Sequence, residues 1–215
     1  MNSLQTLSFV RIFHLKDEEI LRCSPNLRTL KCICQPLSVD WGAYRYPNLD
    51  FLTQLESLKM IFQSSFKGEF AAINFPVNIK KLTLSKIGLP WENMSIIGTL
   101  PNLENLKLVS DAFEGRRWKA NDDEFKKLKF LKLDSLKLIK WNASSDDFPR
   151  LRRLVVRNCY YLEEIPSDLG YIPTLEMIKV HSCANRVNGS ARRIQEEQLE
   201  IGNLDLKVIV SGSYW

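Results

Sequence analysis

The side chains that could perform acid–base or metal chemistry are few and far apart in this chain. His14 and His181 are its two histidines, and they fall in the first and last copies of a repeated phrase described below. If the copies stack as neighbouring strands, seven spacings of about 4.8 Å separate the two rings by roughly 30 Å. The histidines therefore cannot share a metal ion. His181 and Cys183, two residues apart along one strand, are poorly placed as base and nucleophile.

The five cysteines do not have the pattern of a metal site or of a disulfide framework. Cys32 and Cys34 have the spacing of half a zinc site, but no second pair accompanies them. An odd number of cysteines argues against complete pairing into disulfides. Cys159 and Cys183 occupy the same position in two neighbouring copies of the phrase, which predicts reduced thiols packed in the core.

Two acidic runs and three tryptophans lie between copies of the phrase. The runs Asp122–Glu124 and Asp146–Asp147 are predicted to be solvated turns. Trp91, Trp118 and Trp141 are predicted to anchor packing rather than to form a ligand cage, because no acidic partner recurs beside them. We find no catalytic constellation, so the sequence predicts a protein that is not an enzyme and uses no cofactor or metal.

The elements that position these residues are predicted by a repeated phrase, apolar-x-x-apolar-x-apolar. Alternation with period two predicts a short strand in each copy, which buries its apolar edge only by stacking on its neighbours. The phrase and its spacing are typical of a leucine-rich-repeat solenoid, an α/β fold. Its curved parallel sheet lines the concave side, and short helices, 3₁₀ turns and loops form the convex side. The eight copies begin at Leu4, Leu27, Leu55, Ile79, Leu103, Leu128, Leu151 and Leu175.

The two ends of the chain differ from the repeats. Residues 1–183 are predicted to form the solenoid, and residues 184–215 a C-terminal cap made of a helix and a strand. Ser190 is predicted to be the N-cap of that helix and Gly202 its stop. The first copy begins at Leu4 without a cap of its own, so we expect apolar surface there that an upstream segment covers.

Lysine recurs at the middle outward position of the predicted strands, on the concave side. Parallel register would stack Lys31 beside Lys59 and Lys107 beside Lys132, about 5 Å apart. Flanking outward positions make the face more basic. The residues predicted to bind a partner are Lys31, Lys59, Lys81, Lys107, Lys132, Arg153, Arg157 and Lys179.

Three interpretations of this basic column remain open. It is a solvated face, partly neutralised by Glu56, Glu104 and Glu176, or it is a docking surface for an acidic protein partner. The third interpretation is a site for nucleic acid or polyphosphate. That one is disfavoured because stacking of bases needs interleaved aromatic residues, and only Phe130 lies on this face.

Particular segments of the repeats, from about Tyr46 onward, carry a resemblance. They are Phe75–Ser85, Leu89–Met94, Leu100–Leu108, Ala112–Trp118, Cys159–Pro166, Ser190–Gln198 and Gly202–Asn203. These segments resemble the C-terminal repeats of plant coiled-coil nucleotide-binding immune receptors, and above all those of the solanaceous late-blight resistance homologues. The resemblance implies a cytoplasmic sensor whose repeats recognise pathogen effectors and hold a nucleotide-binding switch inactive. The implied partner is an effector or a nucleotide-binding domain, in the same chain or in another.

Other functional classes find less support. The sequence contains no G-x-x-x-x-G-K-S/T phosphate loop, so nucleotide binding is not carried over from the family. The alternative function is a substrate-recruiting leucine-rich-repeat subunit of a ubiquitin ligase, which would require an upstream F-box. A receptor ectodomain would show a signal peptide, paired cysteines and regular Gly-x-Ile-Pro repeats. None of these three features is recognisable in the sequence, so it does not favour this class. We expect no membrane partner, because no apolar run approaches the roughly 18 residues of a span.

Overall fold

Nine parallel strands form one sheet in which each strand pairs with its neighbours in sequence. The computed structural model describes residues 4–12, 15–34, 48–63 and 73–212. Each of the first eight strands begins two residues after the first residue of its copy of the phrase. This confirms the predicted leucine-rich-repeat solenoid. The strands are β1 (Thr6–Ile12), β2 (Thr29–Cys34), β3 (Ser57–Phe62), β4 (Lys81–Ser85), β5 (Asn105–Val109), β6 (Phe130–Asp134), β7 (Arg153–Arg157), β8 (Met177–His181) and β9 (Lys207–Ser211).

The apolar positions of the phrase stack into continuous buried rows. Leu58 lies in register with Leu30 on one side and with Leu82 on the other, and each is at most 1% exposed. Burial of one leucine side chain contributes about 1.5–3 kcal/mol, which a single strand could not obtain alone. The rows therefore hold the strands in register and fix which side chains point outward.

A left-handed residue follows several strands at the same position of the repeat. Ser110, Ser135, Asn158 and Ser182 have φ between 47° and 56°. Each backbone N–H donates to the carbonyl of the last residue of the next strand, at 2.9–3.0 Å. The chain therefore leaves the sheet at a constant point, and the outward positions of neighbouring strands stay aligned.

The segments that return on the convex side are short, as predicted. The helices are α1 (Leu15–Arg22), α2 (Met94–Gly98) and α3 (Asn185–Glu200), with 3₁₀ turns at Trp91–Asn93 and Ser167–Tyr171. Two small parallel ladders join neighbouring returns. They pair Leu89–Pro90 with Phe113–Glu114, and Arg117–Lys119 with Lys140–Asn142.

The three tryptophans form a buried stack in these returns. The rings of Trp91 and Trp118 lie 5.1 Å apart, and those of Trp118 and Trp141 lie 5.2 Å apart and nearly parallel. Phe125 and Phe148 stack beside them at 5.2 Å. All five rings are at most 4% exposed, so the predicted packing role of the tryptophans is confirmed.

The C-terminal helix and strand occur where the cap was predicted, but the helix begins earlier. Helix α3 begins at Asn185, so the prediction that Ser190 is its N-cap was wrong. The buried Ser190 hydroxyl donates to the carbonyl of Val187 and accepts the N–H of Ile165 instead. The helix ends at Glu200, and Gly202 at φ +84° is the predicted stop. The division at residue 183 stays a prediction.

Candidate interaction surface

The sheet places the predicted lysine column on its outward face. Lys31 is in register with Lys59, and Lys107 is in register with Lys132, as predicted. Thr83 lies between these two pairs, and Val155 lies between Lys132 and Lys179. The register follows from the buried rows behind it, because outward and inward residues alternate along each strand.

Seven of the eight predicted binding residues have no salt bridge within the described ranges. Lys59 is half-buried, while Lys31, Lys81, Lys107, Arg153, Arg157 and Lys179 are exposed. Lys107 also lies over the ring of Phe130, 5.5 Å from its centroid. That contact covers the aromatic ring that sequence reasoning had noted on this face.

Lys132 differs from the others because it is committed to an internal ion pair. Its ammonium lies 2.8 Å from a carboxylate oxygen of Asp134, and the side chains are 23% and 11% exposed. Asp134 also accepts hydrogen bonds from the Ser135 hydroxyl at 2.9 Å and from the Asn158 amide at 3.2 Å. Burial alone would raise the pKa of Asp134, but these donors and the charge of Lys132 outweigh it and hold that pKa below its usual value. Sequence reasoning missed this pair.

The glutamates expected to neutralise the column contact other cations. Arg28 and Lys80 pair with Glu56 at 3.0 and 3.4 Å. Lys129 pairs with Glu104 at 3.1 Å, and Arg152 pairs with Glu176 at 2.8 Å. These residues all occupy the second position of the phrase, so they form a mixed row beside the sheet. The three glutamates therefore neutralise cations of their own row, and the lysine column on the outward face keeps its positive charge.

Positive charge is therefore concentrated on the concave face. The outward positions of the nine strands carry one acidic residue, Asp134, and ten cationic ones. The chain has 30 lysines and arginines and 25 acidic residues. Twenty of these cations and twenty-four of these acids lie outside the outward strand positions. The rest of the chain is thus slightly acidic, and a concave wall of one sign focuses its field on an incoming partner. The ten are Arg11, Lys31, Lys59, Lys81, Lys107, Lys132, Arg153, Arg157, Lys179 and Lys207.

The cysteine thiols are placed for packing. Cys32, Cys34, Cys159 and Cys183 are at most 1% exposed, and all are free thiols. Burial raises the pKa of Cys159 to about 12. Because the thiolate is the reactive form, such a thiol is inert at neutral pH. The predicted packing of Cys159 and Cys183 in the core is confirmed.

His181 has a partner that sequence reasoning did not find. Its Nδ1 lies 2.9 Å from the hydroxyl of Ser211 on the next strand. The parallel register of β8 and β9 brings the two side chains together. No third group that would orient the ring is described beside them, so they do not form a catalytic triad. His14 lies outside the described residues.

The two acidic runs are only partly solvated, so their prediction was wrong at one residue in each. Glu124 and Asp147 are 2% and 7% exposed. Glu124 accepts the backbone N–H of Asn121, and Asp147 accepts that of Ser144. Each carboxylate thus closes a four-residue turn before a buried phenylalanine. An Asn or Ser three residues before an acid was the available signal.

The described ranges contain no group of three or more His, Cys, Asp or Glu side chains that could hold a metal ion. No helix in them is both long and apolar enough to span a bilayer.

Several curated relatives of this chain come from the plant Solanum demissum, while no protein-family profile matches it. Two putative late blight resistance protein homologues of Solanum demissum are each 38% identical over 98% of the chain. A third is 41% identical over 96% of it. The chain spans 16–17% of the length of these relatives. Their names denote disease resistance and no catalytic activity.

Proposed function

Because this chain is homologous over nearly its whole length to one segment of the late blight resistance proteins, we propose that it is a protein-interaction module of a plant immune receptor. In this proposal it is non-enzymatic and cytoplasmic, contributes to recognition of a pathogen effector, and holds a nucleotide-binding domain inactive. The homology carries the proposal. The described structure adds a large, open and strongly basic concave face.

The concave face is the proposed contact surface. Its exposed cations form a regular array on the sheet, and within the described ranges Lys132 alone among the eight predicted binding residues is paired with an acid. Complementary charge accelerates encounter and selects between partners. The surface therefore suits an acidic partner, which is an effector or the nucleotide-binding domain. Lys132 is excluded from direct binding, since Asp134 already holds it.

Co-precipitation tests this function. This chain is expressed beside the nucleotide-binding half of a Solanum demissum relative, as two separate polypeptides. The double variant Lys107→Glu, Lys179→Glu places two negative charges at exposed positions of the column, and we expect it to abolish capture of that half. The matched control is Lys119→Glu with Lys140→Glu, which makes the same change in net charge at exposed positions of the returns. It is expected to retain capture. Equal capture by both variants would contradict the proposed surface.

A further inference from the structure

The two ends of the concave face differ in the kind of cation they carry. At the N-terminal end, the column of β2 and β3 offers Lys31 and Lys59 among serine, threonine and isoleucine. At the C-terminal end, the outward face of β7, β8 and β9 offers four exposed cations, two of them arginines. We call these four residues the C-terminal cluster: Arg153, Arg157, Lys179 and Lys207.

The acid in register with the C-terminal cluster, Asp134 beside Arg157, is already engaged by other groups. Within the described ranges none of its four members takes part in a salt bridge. The nearest acid on the face, Asp134 in β6, is occupied by Lys132, Ser135 and Asn158. That network forms a boundary between the cluster and the lysines of the preceding strands. Like charges left unmatched are unfavourable until an anion binds between them.

Apolar and aromatic groups accompany the cluster. Val155 and Met177 lie half-buried between its cations. Tyr160 and Tyr161 come after two intervening residues beyond the end of β7, just past the point where the chain leaves the sheet, and are 47% and 61% exposed. Tyrosine, arginine and methionine are the residues enriched in protein interfaces, whereas lysine is depleted there. The composition of this end thus favours a protein ligand, and the N-terminal lysines have the composition of a solvated face.

We propose that the C-terminal cluster is a docking site for an extended, carboxylate-rich segment of a protein partner. The inference rests on the proposed function, because it names the ligand chemistry of that same face. Arg153 and Arg157 are four residues apart on one strand, so about 13 Å separates their backbones. An extended peptide places carboxylates at positions i and i+4 at the same spacing, on one side. Each guanidinium can then hold one carboxylate through two parallel hydrogen bonds.

The other occupants fit less well. A flat bilayer cannot follow a concave wall. Nucleic acid needs aromatic platforms interleaved with the cations of the face. Phe130 on β6 is already covered by Lys107, and Tyr160 and Tyr161 lie beyond the end of β7, outside the strands that carry the cations. The cluster combines exposed cations with the half-buried apolar residues Val155 and Met177. A protein segment fits both, because its carboxylates can contact the cations while an apolar side chain contacts Val155 and Met177.

Peptide binding tests the site on the intact 215-residue chain. The probe is a fluorescent peptide of about ten residues, rich in aspartate and glutamate with one central leucine, measured by anisotropy. Arg153→Glu with Arg157→Glu is expected to weaken its binding by at least about tenfold. The matched control, Lys31→Glu with Lys59→Glu, makes the same change in net charge at the other end of the face. It is expected to weaken binding less than about threefold, as nonspecific attraction predicts.

Three further arms make the result decisive. Arg153→Lys with Arg157→Lys keeps the charge and loses the paired hydrogen bonds, so an intermediate loss is expected. A peptide with glutamine and asparagine in place of the acids should not bind. If the glutamate variant melts below the wild type, Arg153→Gln with Arg157→Gln replaces it.

Equal losses in the two double variants, no binding by the wild type, or tighter binding of a single-stranded oligonucleotide of equal charge would each overturn the site. Capture of the nucleotide-binding half in the preceding experiment would survive such a failure, so the two proposals are separable.

Discussion

Asp134 shows how one residue sets the character of a surface. Its folded pKa lies below the usual value of 3.8, so the charged carboxylate is stabilised in the fold. This contribution is present in full above the ordinary pKa and is lost as the pH falls through the folded pKa. The same carboxylate holds Lys132, which divides the basic face into two parts.

Asp134→Asn is therefore expected to lower the free energy of unfolding at neutral pH. It should also reduce the loss of that free energy as the pH falls. Loss of hydrogen bonds to a charged acceptor costs about 1–2 kcal/mol. As the pH falls from about 5 through the folded pKa of Asp134, the wild type should lose this advantage, and the free energies of unfolding of the two proteins should converge. Urea unfolding at a series of pH values measures it. A constant difference across that range would contradict the assigned role of the charge.

Sequence reasoning located the outward lysines but not the contacts that modify them. Alternation of period two fixes which face a side chain occupies, so the register of Lys31 with Lys59 followed directly. The pairing of Lys132 with Asp134 depends on rotamers and on Asn158, which lies 24 residues away. Ser190 was misassigned because its hydroxyl is bonded to Ile165 in the preceding return, a contact that local capping rules do not include.

At the scale of elements, stacked aromatic side chains stabilise the convex returns, while rows of buried aliphatic side chains stabilise the sheet. Trp118 lies at the centre of the stack, 1% exposed and between Trp91 and Trp141. Its indole N–H has no hydrogen-bond partner among the described residues. Trp118 therefore contributes packing alone, and its buried donor is a cost.

Trp118→Ala should lower the free energy of unfolding by about 3–5 kcal/mol, because it leaves a cavity between two repeats. Trp118→Phe should cost much less, since it keeps part of the stack and removes the unpaired donor. The exposed control Tyr161→Ala should change stability by no more than about 0.5 kcal/mol. Urea denaturation followed by circular dichroism measures all three. Equal effects of the alanine and phenylalanine variants would contradict the packing role assigned to the stack.

At the scale of the whole molecule, α3 packs against the last repeats of the solenoid and against the terminal strand β9. Val187, Ala191 and Ile194 on α3 are at most 1% exposed. A Cβ placed on Gly170 would lie 2.8 Å from Cγ2 of Ile194. Because the solenoid is a chain of nearest-neighbour interfaces, a helix packed this closely should unfold together with the repeat beneath it. The proposed cap would then stabilise the last repeats rather than fold as an independent unit.

A double-mutant cycle at this contact tests the coupling of cap and solenoid. Gly170→Ala alone should destabilise by about 1–3 kcal/mol through the clash, and Ile194→Ala by about 2–5 kcal/mol through lost packing. Since Ile194→Ala removes the clashing Cγ2, the double variant should cost less than the sum of the two. Calorimetry should show one transition that shifts as a unit. If Gly170→Ala instead splits the transition in two, the cap folds separately, and the division near residue 183 marks an independent unit.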